Sequence, residues 1–296
     1  MSALPPTTDD TPMWDLWQSM IQVPVVTAAD EVGVFKALSD APLTTEELAQ
    51  TIGVDARMLS INLAGLASLG YIDKRDGRWS ATHIARTWLH PEAEGYWGKY
   101  FKIFPATNPL HEQFVTMLKT GRRPKHREDD KPEWELGEMS PEAAEGIAAF
   151  MNTHSQAASR GAAVQPEFAE VASVLDVGCG SGIYGIQMAL HNPGLKVGLM
   201  DLTEMCAEVD KYIAKFGVGG QARSHSVNMF TEQWPTEYEA HFYANVMHDW
   251  SDETNRILAK KSFDALPSGG RIFLSEILMD DDGTGPWQAA AFALAM

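Results

Sequence analysis

Residues 174–182 read Val-Leu-Asp-Val-Gly-Cys-Gly-Ser-Gly, and 183–190 continue as Ile-Tyr-Gly-Ile-Gln-Met-Ala-Leu. The stretch 174–177 is apolar around a single acid, like a short buried strand. Gly178, Gly180 and Gly182 then form a tight turn, and the apolar residues beyond them recur at helical spacing. A strand, a glycine-rich loop and a helix are how an open α/β sheet builds a ligand site at its carboxyl edge. Glycine in such a loop removes the Cβ atoms that would hold a ligand away from the backbone. The spacing narrows the ligand. A dinucleotide fingerprint needs glycine at 183, where this chain has Ile183, and the Gly-Lys-Ser/Thr of a phosphate loop is absent.

Asp176 precedes the loop. The next strand-like run, 195–200, ends in Asp201 and Leu202, with Asp201 nineteen residues after Gly182. An acid at the end of the second strand can accept both hydroxyls of a ribose. Together these residues resemble the S-adenosyl-L-methionine-binding loop of class I methyltransferases. The alternative is a Rossmann-like site for another nucleotide.

Strand and helix alternate onward from the loop, with strands expected near 174–177, 196–200, 222–227, 240–246 and 271–277. That rhythm predicts an α/β fold with a parallel, doubly wound sheet. Upstream, the pattern is helical and then winged. Thr44 and Glu47 form a capping-box pair, with Leu43 and Leu48 placed as a hydrophobic staple. A helix over 57–69 follows and ends at Gly70, and a hairpin turns at Asp76-Gly77. Helix, turn, helix and hairpin make a winged helix. A DNA reader would present Arg, Lys, Asn or Gln from its second helix, yet only Arg57 and Asn62 qualify here. The helix is apolar on most sides, which predicts burial against a second subunit and a dimerisation role. The expected division is a disordered lead at 1–12, a mostly helical winged-helix dimerisation domain at 13–95, a helical linker and acceptor-pocket region at 96–172, and a catalytic domain at 173–296.

Composition agrees with this organisation. Forty acids against 23 bases leave a net charge of −17, which opposes binding to nucleic acid or to an anionic membrane surface. No apolar run approaches the roughly 20 residues of a membrane span. The first residues lack the basic and apolar regions of a secretory signal, so a cytoplasmic protein is expected. The two cysteines, Cys179 and Cys206, have no metal-ligand company, and no metal is expected.

The acceptor side is read from the fourth strand. It runs into Asn245-Val246-Met247-His248-Asp249-Trp250, with Ser251 as a helix cap. His248 stands at the strand-to-loop junction, and Glu276 closes the fifth strand. A neutral imidazole can take a hydroxyl proton near neutral pH, and a carboxylate on its other nitrogen orients it and stabilises the imidazolium.

The segment His248-Asp249-Trp250-Ser251-Asp252-Glu253 is similar to the His-Asp-Trp-x-Asp-Glu signature of the caffeate-type O-methyltransferase family. Plant phenolic methyltransferases and bacterial small-molecule enzymes belong to it. The likeness runs from about Trp14 to the end of the chain. It implies transfer of a methyl group from S-adenosyl-L-methionine to a hydroxyl of a small molecule by a homodimeric enzyme. His248 would be the base, with Glu276 and Asp249 beside it. Asp176, Gly178, Gly180, Gly182, Asp201, Leu202, Asn228, Met229 and Asn245 would hold the cofactor. The chain departs from the family in three places. Asn228 replaces the usual acid that meets the adenine amino group, leaving its amide oxygen to accept. Ala244 stands where many plant members have lysine. The chain stops inside an apolar helix, where family members continue through a last pair of strands. Without those strands the fifth strand should leave an open edge.

The acceptor pocket is expected among Tyr96, Tyr100, Phe101, Phe104, Phe150, Met151, His154, Tyr243 and Met247. His154, polar amid apolar neighbours, needs a partner. Two other readings stay open: an S- or N-methyltransferase of the same fold, and a non-catalytic winged-helix regulator with a vestigial cofactor site.

Overall fold

The computed structural model describes residues 9–101, 108–122 and 139–295. The chain divides into two compact units, one of 10–130 with 277–296 and one built on 131–276.

The N-terminal unit is helical. Helix α1 (Thr11–Val32) ends at left-handed Gly33, and α2 (Val34–Asp40), α3 (Thr45–Ile52) and α4 (Ala56–Ser68) follow. Thr44 caps α3 with both halves of the capping box formed, an arrangement worth about 1 kcal/mol. Asp76 and Gly77, both at positive φ, close the hairpin of β1 (Ile72–Arg75) and β2 (Arg78–Ala81). Helices α5 (His83–Trp88), α6 (Gly98–Phe101) and α7 (Pro109–Thr120) complete the described part. Leu59, Leu63 and Leu66 of α4 are fully buried with Phe35, Leu38 and Leu48. Truncating any one of these leucines to alanine should cost about 2–5 kcal/mol.

Four sequence expectations change here. The apolar face of α4 is covered within its own chain. Helix Trp287–Ala295 packs on α4 and α1 so closely that a Cβ on Gly65 would lie 3.0 Å from Leu294 Cδ1. Asn62 is buried, and its amide donates to Val25 O at 3.4 Å, so it faces no base edge. The segment 277–296 therefore groups with the N-terminal unit rather than with the sheet before it, and the region read as 96–172 divides near residue 130. The physical reason is that a helix apolar on all sides must bury itself, and α1 and α4 offer the surface. The lead also ends earlier than expected, because Thr11 and Pro12 already belong to α1.

The second unit is a five-stranded parallel sheet in the order β5-β4-β3-β6-β7. Its strands are β3 (Ser173–Val177), β4 (Lys196–Asp201), β5 (Ala222–Ser226), β6 (Ala240–Ala244) and β7 (Arg271–Ser275). Every residue of β3 is buried, as expected for a central strand covered on both faces. Helices Ile183–His191, Thr203–Phe216 and Asp252–Ala265 connect successive strands. A Cβ on Gly185 would come within 2.4 Å of Leu199, so glycine there sets the close approach of helix to sheet. The strand order reverses at β3, between β4 and β6, and that crevice is where doubly wound sheets bind ligands. Among the described residues β7 is an edge strand. Ile272 and Leu274, on one face of it, are 42% and 60% exposed.

Candidate functional site

The site is assembled from strand ends. Beyond β3, the N–H groups of Gly178 and Cys179 both donate to Met200 O, at 2.9 and 3.1 Å, which ties the loop to β4. Gly178, Gly180 and Gly182 all have φ between 56° and 74°, a region that side chains strain to enter. Asp201 ends β4 and organises the turn. Its Oδ2 accepts from Gly180 N–H and its Oδ1 from Leu202 N–H, both at 2.8 Å. Asp176 is buried beneath, accepting from Gly185 N–H at 3.1 Å. Burial pushes the Asp176 carboxyl up to about 7, and the charge of Asp201 adds to the shift. Burial likewise pushes Asp201 up to about 6. Two costly carboxylates under one loop form a setting that a bound cation and hydroxyl donors would relieve. Ser181 Oγ is buried in the same loop without a protein hydrogen-bond partner.

Across the crevice, β6 stops at Ala244 because Asn245 adopts a left-handed conformation, φ 55°. The chain then makes a short 3-10 turn, Met247–Asp249. Glu276, one residue past β7, holds that turn in three ways. Its Oε1 accepts from Val246 N–H at 3.1 Å and Met247 N–H at 2.9 Å, while its Oε2 lies 2.7 Å from His248 Nδ1. Asp249 Oδ1 stands 3.6 Å from His248 Nε2. Burial would lower the imidazole, but the Glu276 hydrogen bond and the charges of Asp249 and Glu276 outweigh it, so its pKa is raised. Asn255 of the following helix donates to Met247 O at 2.8 Å, pinning the turn from below.

The other expected site residues divide. Met151 lies on the loop, where a Cβ on Gly180 would meet its Sδ at 3.0 Å. His154 has its partner within its own helix end, Ser155 Oγ at 2.7 Å from Nδ1, and burial lowers its pKa. Phe150 is 57% exposed, edge-on to the His154 ring. Met247 is half-buried beside Phe230 and Trp250, whose rings meet at 4.6 Å. Asn228 departs from expectation, because its amide oxygen accepts from Phe230 N–H and Thr231 N–H and so serves its own turn. Next to it, Met229 O accepts from Lys261 Nζ and Trp234 Nε1. Tyr243 is a core residue, fully buried with its hydroxyl on Ser262. Tyr96 is committed to Asp30 within the N-terminal unit, at 2.8 and 3.0 Å. Tyr100 and Phe101 belong to α6 of that unit, and Phe104 lies outside the described residues. Sequence reasoning missed Ser181, orphaned in the loop, and Asn255, beneath the turn that bears His248. Of these, only Ser181, inside the loop, carried a signal by its position.

A family model described as an O-methyltransferase domain matches residues 121–296, and an O-methyltransferase dimerisation domain matches 14–91. The chain belongs to the O-methyltransferase family. It is 31% identical over 288 residues to the 3-hydroxy-5-methyl-1-naphthoate 3-O-methyltransferase of Streptomyces sahachiroi, an alignment that covers 97% of this chain and 82% of that one. Among solved structures, an O-methyltransferase family 2 protein from Planctomyces limnophilus, crystallised with apigenin, has a TM-score of 0.85 at 24% identity, covering 99% and 85% of the two chains. Human N-acetylserotonin methyltransferase, solved with S-adenosylmethionine, has a TM-score of 0.55 at 20% identity and shares the fold, covering 98% and 86%. The chain is an S-adenosyl-L-methionine-dependent methyltransferase. Its loop fits that cofactor: three glycines open the backbone, an orphaned hydroxyl faces the turn, and paired carboxylates suit a sulfonium and a ribose. The O-methyltransferase model runs through 277–296, whereas the contacts assign that segment to the helical unit.

Proposed function

We propose that this O-methyltransferase methylates the hydroxyl of a small aromatic molecule, with His248 as general base. The observation that carries the reading is the Glu276 clamp. One carboxylate binds His248 Nδ1 and, through its other oxygen, two N–H groups of the turn that bears His248. With Nδ1 engaged, Nε2 is the nitrogen that receives the acceptor proton, and Asp249 at 3.6 Å stabilises the imidazolium electrostatically. When bound, the cofactor supplies an electrophilic methyl group whose C–S bonding pair leaves with the sulfur. The acceptor oxygen provides the new bonding pair as its proton passes to His248, so the positive charge moves from the sulfonium to the imidazolium held by Glu276 and Asp249. Asp201 keeps lone pairs for ribose hydroxyls beside its two backbone bonds, and the glycine loop with Asp176, Leu202, Met229 and Asn245 encloses the rest of the cofactor. Met151, His154, Phe150 and Met247 line the acceptor side. The aromatic hydroxyl is favoured by the naphthoate acceptor of the Streptomyces sahachiroi relative.

The reading includes a cytoplasmic homodimer. Met13, Leu16, Met20 and Val23 are 40–66% exposed at helical spacing on α1, an apolar stripe facing outward from the unit that matches the dimerisation model. Leu16→Asp with Met20→Asp should convert a dimer to a monomer in light scattering at micromolar concentration. A wild type that is already monomeric removes the dimer from the reading.

Methyl-labelled S-adenosyl-L-methionine offered with a panel of phenols, thiols and amines tests the acceptor class. Label on phenols is the expected result. Label confined to amines or thiols replaces this reading with that of a positioning enzyme that needs no base.

A further inference from the structure

Lys261 has no part in the reading above, yet it holds the turn that adjoins Asp201. That turn, residues 228–234, leaves β5 where Val227 N–H donates to Asp201 O at 2.9 Å. It contains no helix or strand, so its carbonyls have no ladder to join and need other donors. Asn228 closes its start, with Oδ1 accepting from Phe230 N–H and Thr231 N–H, and Glu232 Oε2 accepts from Asn228 N–H at 2.6 Å. The carbonyls are met from helix Asp252–Ala265. Lys261 Nζ donates to Met229 O at 2.9 Å, Phe230 O at 3.0 Å and Glu232 O at 2.8 Å. An ammonium has three protons, and all three go to this one turn. Trp234 donates its Nε1–H to Met229 O at 2.9 Å, and its ring centroid lies 5.7 Å from Lys261 Nζ, within cation–π range. Burial lowers the lysine pKa, against the opposing charge of Glu232. The same helix serves the other side of the site through Asn255, which donates to Met247 O at 2.8 Å and Trp250 O at 3.3 Å. Phe230 and Trp250, one from each turn, meet edge-on.

We propose that Lys261 is a positioning residue for the cofactor, its ammonium fixing the 228–234 turn in the shape that receives the nucleoside end of S-adenosyl-L-methionine. The turn follows directly on Asp201, the carboxylate assigned to the ribose, so the nucleoside end is the part that depends on it. Asn228 uses its amide oxygen within the turn, and the shape that Lys261 sets takes over from a side-chain acid at that position. A lysine stem could pack as well without its charge, so the claim concerns the three donors. The inference rests on the cofactor placement proposed above and deepens it.

The test uses the full chain and needs no acceptor. Wild type, Lys261→Met and Lys261→Arg are titrated calorimetrically with S-adenosyl-L-methionine, and by competition with adenosine, which carries the nucleoside end alone. Lys261→Met keeps an apolar stem and removes the charge and every donor. It should weaken both ligands by the same factor, about 10-fold, as the competent turn becomes a minor population. Lys261→Arg keeps a charge and donors and should return both affinities to within about 3-fold of wild type. Unchanged affinities in Lys261→Met overturn the proposal and leave Lys261 as packing. A loss confined to S-adenosyl-L-methionine, with adenosine unmoved, also overturns it, because the turn would then serve the amino-acid end. Equal losses in Lys261→Met and Lys261→Arg overturn it as well, assigning the effect to the shape of the stem. If Lys261→Met does not fold, Trp234→Phe carries the test. It removes one donor from Met229 O and should weaken both ligands by a smaller common factor, and an unmoved adenosine affinity there overturns the proposal. The cofactor placement fails separately, if Asp201→Ala keeps its affinity while Lys261→Met loses it.

Discussion

His241 and His248 lie seven residues apart on one strand and its exit, and they have opposite chemistry. His241 is fully buried near the start of β6. Its Nδ1 meets Ser262 Oγ at 3.0 Å, its Nε2 has no hydrogen-bond partner, and burial pushes it down to about 4. His248 stands beyond the carboxyl end, exposed, between Glu276 and Asp249, and its pKa is raised. Residue type is the same, and so is the strand. The difference is whether carboxylates gather around the ring, and in a parallel sheet they gather at the carboxyl edge, where loops rather than neighbouring strands surround it. The interior can only hold the imidazole neutral, whereas the edge can let it change charge.

The largest expected effect breaks the comparison at its active end. His248→Ala should lower turnover by about 10²–10⁴-fold, the range for loss of a general base, with calorimetric cofactor affinity little changed. A near wild-type rate would make His248 as inert as His241.

His241 should declare itself in stability. In the unfolded chain its imidazole has the ordinary value near 6.5, and in the folded chain about 4. Above 6.5 both states are neutral and the group contributes no pH dependence. As pH falls from 6.5 to about 4 the unfolded state takes the proton first, so folding stability drops, by about 3 kcal/mol over the whole window. Urea unfolding at several pH values should show a shallower acid decline in His241→Leu than in wild type. The difference between the two proteins isolates this group from Asp176 and Asp201, whose raised values act in the opposite direction, favouring the fold as pH falls. Equal pH slopes would return His241 to an ordinary environment.

Asp201→Ala should weaken cofactor binding by about 1.5–3 kcal/mol, the worth of charge-assisted hydrogen bonds, roughly 10- to 150-fold in Kd. Part of the loss would come through the loop, since Gly180 N–H and Leu202 N–H lose their acceptor. Unchanged affinity by calorimetry would move Asp201 to a purely structural role.

The smallest effect sharpens the edge itself. Glu276→Gln keeps the shape of the clamp but removes a charge that raises His248, so the acidic limb of the rate profile should move to lower pH. A limb that stays in place would assign the raised value to Asp249 alone.

Much of the site was legible because its residues are adjacent in sequence or end consecutive strands. The loop glycines, Asp201, His248 and Glu276 all follow from a single rhythm of strand and helix, and a parallel sheet brings the carboxyl ends of its strands to one edge. The errors share a cause. Tyr243 and Tyr96 were aromatic and near the right elements, but strand alternation sent one into the core and an aspartate on α1 claimed the other. Asn228 had the right position, yet its short amide closed a local turn instead. The apolar α4 was correctly read as buried, but the surface that covers it comes from more than 200 residues away in the same chain.

The sequence by itself determined the fold class and the glycine loop, and it put His248 and Glu276 at neighbouring strand ends, because periodicity and glycine spacing are local properties that backbone geometry converts directly into strands, turns and helices. Only the tertiary structure decided which carboxylate oxygen holds which N–H, that Asp249 comes within 3.6 Å of His248, and that helix Trp287–Ala295 leaves the sheet for the N-terminal unit. Those outcomes depend on side-chain packing between segments distant in the chain, where burial and the competition for each hydrogen bond are settled only once the elements have met.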